Sequence, residues 1–221
     1  MISRLHYITQ DLPDFSHSQL AEFACKGGAD WIQLRVKNKS HGEWLKIAQE
    51  TKLVCKKYGA KLIINDNVQI AKEIGADGVH LGKDDMNPKE ARKILGNNFI
   101  IGGSSNTMED VKWLMDNGVD YIGIGPYRFT STKEKLNPVL GLEGIHALQT
   151  SKVLKTFDVS APPLIAIGGI KLEDVDSLMQ TGIHGVAVSS AINLAADKIK
   201  TTGNICHRVG KFSARSTKQS V

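Results

Sequence analysis

One pattern recurs four times along the chain and restricts its fold more than any other feature. The segments "GADWIQL" (28–34), "GADGVHL" (75–81), "GVDYIGI" (118–124) and "GIHGVAV" (182–188) each run Gly, two residues, then a short apolar stretch. Glycine after a helix supplies the left-handed residue that ends it. The apolar run that follows is too short for a helix and suits a strand buried on both faces, as in a parallel sheet. Four further runs, "LHYIT", "KLIIND", "NFIIGGS" and "PLIAIGG", read the same way and bring the number of strands to eight. Amphipathic stretches lie between most of them. Eight strands alternating with helices, without a linker, predict an α/β fold, a single (β/α)8 TIM barrel. An open doubly wound sheet is the runner-up, and the lack of a G-x-G-x-x-G after the first strand counts against it.

The intervening stretches support helices. "HGEWLKIAQETKLVCKKYG" sets Trp44, Ile47, Ala48, Val54, Cys55 and Tyr58 near one face. "NPKEARKILG" offers Asn87 as N-cap, Pro88 at the first helical position and Glu90 three residues on. Trp31, Trp44 and Trp113 fall in these patterns as packing residues, and His80, inside the fourth strand, reads as buried and hydrogen-bonded rather than catalytic.

With 221 residues the chain is near the short end for a barrel, so its loops must be brief. No apolar run approaches the roughly 20 residues of a membrane-spanning helix. "MISRLHYITQD" lacks the apolar core and small-residue cleavage site of a signal peptide. Cys25, Cys55 and Cys206 fit neither a zinc spacing nor a disulfide framework, and read as reduced packing residues of a cytoplasmic protein. The net charge is +5, but Arg208, Lys211, Arg215 and Lys218 lie in an acid-free end, and without them the remainder carries +1. A nucleic-acid partner is therefore not expected. Residues 1–207 are expected to form the catalytic barrel and 208–221 a flexible basic tail. Deleting 213–221 should leave the kinetics nearly unchanged.

In a barrel, chemistry sits where the strands end. The second strand runs into "QLRVK", and alternation puts Gln33, Arg35 and Lys37 on one face. A solvated edge would look alike, but a closed barrel has no edge, which favours an inward anion site. The third strand ends in Asn65, Asp66 and Asn67, the fourth in Lys83, Asp84 and Asp85. Each set could simply cap the next helix. Aspartates at two neighbouring strand ends, with no His or Cys cluster, also suit Mg2+ shared with substrate phosphates. Ser104 follows the fifth strand and could bond a phosphate oxygen or help start a helix near Thr107. The seventh and eighth strands end in Gly168–Gly169 and Ser189–Ser190, where this fold commonly grips phosphate.

After the sixth strand comes "GPYRFTSTKEK" (125–135), which gathers Thr130, Ser131 and Thr132 with Arg128, Lys133 and Lys135. A long polar loop at a barrel mouth is commonly a lid, and this one is expected to order over bound phosphates. Together these segments suggest two anion sites in one mouth. The first, with Arg35, Lys37, the Thr-rich loop and Mg2+, suits a diphosphate. The second, with Gly169, Ser189 and Ser190, suits a monophosphate. The reaction class that follows is transfer of a diphosphate-activated group onto a phosphorylated acceptor.

The segments "QLRVK", "IINDN", "GVHLGKDD", "YIGIGPYRFTSTK", "AIGGI" and "GVAVSSAI", in this order from Trp31 to Ile192, resemble the thiamine-phosphate synthase family. The resemblance implies a transferase of thiamine biosynthesis. It would condense 4-amino-2-methyl-5-hydroxymethylpyrimidine diphosphate with 4-methyl-5-(2-hydroxyethyl)thiazole phosphate to give thiamine phosphate and pyrophosphate, through a dissociative, carbocation-type mechanism. It places diphosphate contacts on Gln33, Arg35, Lys37, Asn65 and Lys133, magnesium ligands on Asp66 and Asp85, and a strand-end serine on Ser104. Thiazole-phosphate contacts fall on Thr130, Thr132, Gly169, Ser189 and Ser190. Catalytic help would come from Arg35, Lys37, Lys133 and Ser104, by charge and position rather than as nucleophiles. The chain departs from the family at Lys83, where Gln is common, at Asn106, where His is common, and at Arg128 and Phe129.

Two other readings use the same barrel. A thiazole tautomerase would have less need of Arg35, Lys37, Asp66, Asp85 and Lys133 together. A non-catalytic phosphate sensor would not need a leaving-group site. The expected partners are the two small-molecule substrates, with no nucleic acid and no membrane, and a homo-oligomer is compatible with the sequence.

Overall fold

The computed structural model describes residues 1–129, 138–151, 154 and 161–216, without the side chains of 213–216. The expected Thr130, Ser131, Thr132, Lys133 and Lys135, and with them the lid, lie outside the described residues. Eight parallel strands close in sequence order. They are β1 Leu5–Ile8, β2 Trp31–Leu34, β3 Lys61–Asn65, β4 Gly78–Leu81, β5 Ile100–Ser105, β6 Tyr121–Ile124, β7 Leu164–Ile167 and β8 Gly185–Val188. The last strand pairs with the first, Tyr7 opposite Val188. The (β/α)8 barrel is therefore present and the open sheet is excluded.

The repeated glycines do what their position demands. Gly28, Gly75, Gly118 and Gly182 all have positive φ, between 62° and 95°. Each turns the chain from a helix end into the next strand. The helices are α1 His17–Lys26, α2 His41–Tyr58, α3 Val68–Ile74, α4 Pro88–Leu95, α5 Met108–Asp116, α6 Gly141–Gln149, α7 Val175–Gln180, α8 Ser190–Asn193 and α9 Lys198–Ser216. Asn87 caps α4 as expected, accepting from Lys89 N–H. In α2 the buried face is Trp44, Ala48, Thr51 and Cys55. Tyr58 leaves that face, because its hydroxyl bonds Glu22 on α1. Trp113 is also no core residue, since it is 47% exposed. No helix among the described residues is long and apolar enough to cross a membrane.

Two apolar clusters follow from strand alternation. The larger packs outward-facing strand residues against the helices. The smaller fills the barrel with Ile8, Trp31, Ile63, Tyr121, Ile165 and Ala187. His6 stacks on Trp31 at 4.3 Å and meets Tyr121 edge-on. Burial first, and then the neighbouring His80, hold the His6 imidazole well below 6.5. Burial likewise lowers His184. Both rings are therefore neutral in the folded protein near neutral pH, while the unfolded chain takes up protons below 6.5. Their contribution to stability is full above that value and declines as pH falls. Thermal midpoints measured from pH 8 to pH 5 should fall below about pH 6.5, and a flat profile there would contradict this assignment.

The chain does not leave the barrel at His207. Helix α9 continues to Ser216, Val209 is 5% exposed in the outer core, and Arg208 pairs with Asp176 at 3.1 Å. The boundary expected at 207/208 thus cuts a packed helix, because Val209, Phe212 packed against the same core, and the Arg208–Asp176 pair hold its last turns down. Val209→Asp should cost about 3 kcal/mol by burying an unpaired charge, lowering the thermal midpoint by roughly 6–12 °C. Removal of 213–221 should shift it little.

Candidate active site

The strand ends line a cavity of about 400 Å3. Its wall has a charged half and a neutral half. Gln33, Arg35, Asn65, Asp66, Asp85 and Ser104 supply the first, from the ends of β2 to β5. Gly168, Gly169, Ser189 and Ser190 supply the second, after β7 and β8. Lys37 is half-buried and does not form this wall. The sequence reading put it on the face of Gln33 and Arg35, but β2 ends at Leu34, so strict alternation stops before it.

Neighbouring strands lock the charged half. Gln33, 3% exposed, donates through Nε2 to Asn65 Oδ1 at 2.8 Å. The ladder continues one residue further, with Asp66 N–H donating to His80 O at 2.8 Å. Asp66 has φ 63°, which turns it off the strand line. The helix cap is Asn67, accepting from Ile70 N–H at 3.0 Å. The cap and the candidate metal ligand are thus different residues. Asp85 closes the turn after β4, its Oδ2 accepting from Gly82 N–H at 2.5 Å. Among the described residues no three His, Cys, Asp or Glu side chains group to hold a metal. Asp66 and Asp85, with Asp84 in the same wall, suit an ion that completes its shell with water and ligand oxygens.

Three of the four departures from the family pattern have structural partners, and the fourth, Phe129, is 70% exposed. Lys83 reaches Asp110 at 2.9 Å, and that bond holds its ammonium above the ordinary lysine value. Asn106, 8% exposed, donates through Nδ2 to Gly125 O and to Pro138 O, both at 2.9 Å. It therefore clasps the two ends of the long connection after β6. Arg128 is no spare cation for phosphate. Its guanidinium makes two bonds to Asp174, at 2.8 and 2.9 Å, and a third to Gly169 O at 2.9 Å.

In the neutral half, Gly168 and Gly169 both have positive φ, 98° and 66°. A Cβ on Gly168 would stand 2.7 Å from Pro126 Cα, so the two loops touch along bare backbone. Ser189 Oγ accepts from Asn193 Nδ2 at 3.1 Å, which leaves its proton to donate elsewhere. Helix α8 is a single turn, so an anion here would be held by N–H groups and hydroxyls rather than by a long helix dipole.

The sequence reading missed the loop after β1. Thr9 Oγ1 accepts from Arg35 N–H at 3.1 Å, and Asp11 Oδ2 accepts from Lys37 N–H at 3.2 Å. His17 ties the two together, Nδ1 to Thr9 Oγ1 at 2.8 Å and Nε2 to Asp11 Oδ1 at 3.1 Å. The connectivity resembles a nucleophile–base–acid triad, but Thr9 is 0% exposed and no substrate can reach it. The trio is a splint for the Arg35–Lys37 segment. The strand-end rule, applied to "YITQD", contains the signal for Thr9 and Asp11.

The family described as Thiamine monophosphate synthase matches residues 5–192. The chain belongs to the thiamine monophosphate synthase family. A thiamine-phosphate synthase of Flavobacterium johnsoniae is 47% identical over 198 residues, covering 90% of this chain and 92% of the relative. Another, from Phocaeicola vulgatus, is 47% identical over 201 residues, covering 91% and 95%. Among solved structures, a thiamine phosphate pyrophosphorylase from Pyrococcus furiosus superposes with a TM-score of 0.82 at 31% identity, covering 95% of this chain and 96% of that one. The segment that matches the family ends at Ile192, short of α9.

Proposed function

We propose that this barrel condenses the pyrimidine diphosphate and the thiazole phosphate named above into thiamine phosphate and pyrophosphate, as its family membership implies. One observation supports this reading above the others. A single cavity joins a charged half, suited to a diphosphate, to a backbone-and-hydroxyl half, suited to a monophosphate. Two anionic substrates can therefore meet in one mouth.

In this reading Arg35 carries positive charge to the diphosphate, with Lys37 and Lys133 assisting. Gln33 and Asn65, already bonded to each other, contact the diphosphate of the pyrimidine substrate. Asp66 and Asp85 would hold Mg2+, which would supply positive charge beside the departing pyrophosphate. The pyrimidine methylene carbon loses its C–O bond to the diphosphate, the electron pair leaving with the oxygen. The thiazole nitrogen then donates its pair to that carbon. Gly169, Ser189 and Ser190, with Thr130 and Thr132, hold the thiazole phosphate so that its ring nitrogen faces the carbon. The protein acts by position and field, the terms that suit a reaction without an enzyme-bound intermediate. Both substrates are small molecules of the cytoplasm.

The test is direct. The protein, both substrates and Mg2+ should yield thiamine phosphate and pyrophosphate in equal amounts. No product at saturating substrates, from protein with an intact fold, would overturn the reading in favour of a tautomerase or a phosphate sensor.

A further inference from the structure

Beneath the mouth, three side chains from neighbouring strands form a continuous hydrogen-bonded line. Tyr121 Oη lies 2.9 Å from His80 Nδ1, and His80 Nε2 lies 2.8 Å from Ser104 Oγ. Strand register explains how they meet. His80 on β4, Gly102 on β5 and Tyr121 on β6 share one row. Gly102 has no side chain, and a Cβ there would sit 2.1 Å from Tyr121 Cζ. The tyrosine ring thus crosses over β5 through the space glycine leaves and reaches the next strand but one. Ser104 is the next inward position of β5, and it stands in the cavity wall.

We infer that Tyr121 and His80 are positioning residues that fix the Ser104 hydroxyl as a hydrogen-bond donor into the cavity. The proton positions follow by elimination. Tyr121 is 1% exposed, and burial raises its phenol well above the ordinary value, so the hydroxyl keeps its proton. A buried hydroxyl must donate, and the acceptor it reaches is His80 Nδ1. A neutral imidazole that accepts at Nδ1 carries its proton on Nε2. Nε2–H then donates to Ser104 Oγ, and the Ser104 proton turns toward the cavity. The ligand atom opposite Ser104 must therefore be an acceptor, an unprotonated ring nitrogen or an anionic oxygen, and an N–H group placed there is disfavoured. Without the tyrosine hydroxyl the imidazole can take its other tautomer, and Ser104 can donate back to His80 instead.

The substrate assignment here rests on the synthase reading, but the proton assignment does not. Histidine-selective 15N NMR of the unliganded, unmodified protein should show His80 as the Nε2–H tautomer, its signals identified by their loss in His80→Gln. An Nδ1–H tautomer would overturn the inference whatever the enzyme's activity, whereas absence of turnover in the unmodified protein would count against the synthase reading instead. The kinetic arm is a double-mutant cycle. Tyr121→Phe should lower kcat about fivefold, the size of one neutral hydrogen bond, and should change it less than about twofold in a Ser104→Ala background. An equal loss in both backgrounds would show that the tyrosine acts on packing alone and would overturn the line from Tyr121 to Ser104. If Tyr121→Phe does not fold, the tautomer decides the matter alone.

Discussion

Asp66→Asn is expected to lower turnover at least about tenfold at low Mg2+, a barrier rise of about 1.4 kcal/mol. The substitution isolates charge from shape. Asp66 stands at φ 63°, a left-handed conformation. Asparagine is among the side chains that tolerate it, so the turn after β3 should survive, whereas alanine would add backbone strain. What asparagine removes is the anionic oxygen a hard cation prefers. The defect should therefore shrink as Mg2+ is raised, and the half-saturating Mg2+ should move upward. Near-unmodified turnover at low Mg2+ would remove Asp66 from the metal site and leave Asp85 to be tested in the same way.

The barrel was legible in the sequence because its signals are local. A glycine that ends a helix and an apolar run that starts a strand lie within seven residues of one another, as in "GADWIQL". Four such glycines take the positive φ the pattern requires. Most of the cavity wall was legible for the same reason. Once the strands are counted, the residues after them, from Gln33 to Ser190, must face one mouth.

What escaped the sequence depends on pairs distant along the chain. Nothing in "YRF" indicates that Arg128 meets Asp174, because the two come together only when the loops after β6 and β7 lie side by side. His80 read correctly as a buried, hydrogen-bonded ring, but its partners Tyr121 and Ser104 required strand register. A hint did exist, since glycine inside a strand often marks close approach, and Gly102 marks the passage of Tyr121. The end of the barrel was misplaced for a different cause. Composition flagged the terminal cations, and charge concealed Val209 and Phe212, which continue the helical face.

Arg128→Met should raise the KM for the thiazole phosphate about thirtyfold while changing kcat less. The side chain of Arg128 is 42% exposed and that of Asp174 only 8%. Burial pushes the Asp174 carboxyl up, and the Arg128 guanidinium, Lys171 N–H and Tyr127 more than reverse this, leaving it below its ordinary value. It is therefore an anion at neutral pH, held at the residue directly before α7 and linked to the Gly168–Gly169 loop through Arg128, its counter-charge, which also bonds Gly169 O. Methionine keeps much of the arginine stem but removes the charge. An anion on the order of 8 Å from the carboxylate would then be opposed by about 2 kcal/mol at an effective dielectric of about 20, which is roughly thirtyfold in affinity. The same substitution releases Gly169 O from its bond, so charge and loop position must be told apart. Asp174→Asn, added to Arg128→Met, removes the repulsion without restoring the bond to Gly169. Recovery of most of the lost affinity in the double variant would establish that Arg128 serves the phosphate site by neutralising Asp174. No recovery would show instead that its bond to Gly169 O holds the loop in place.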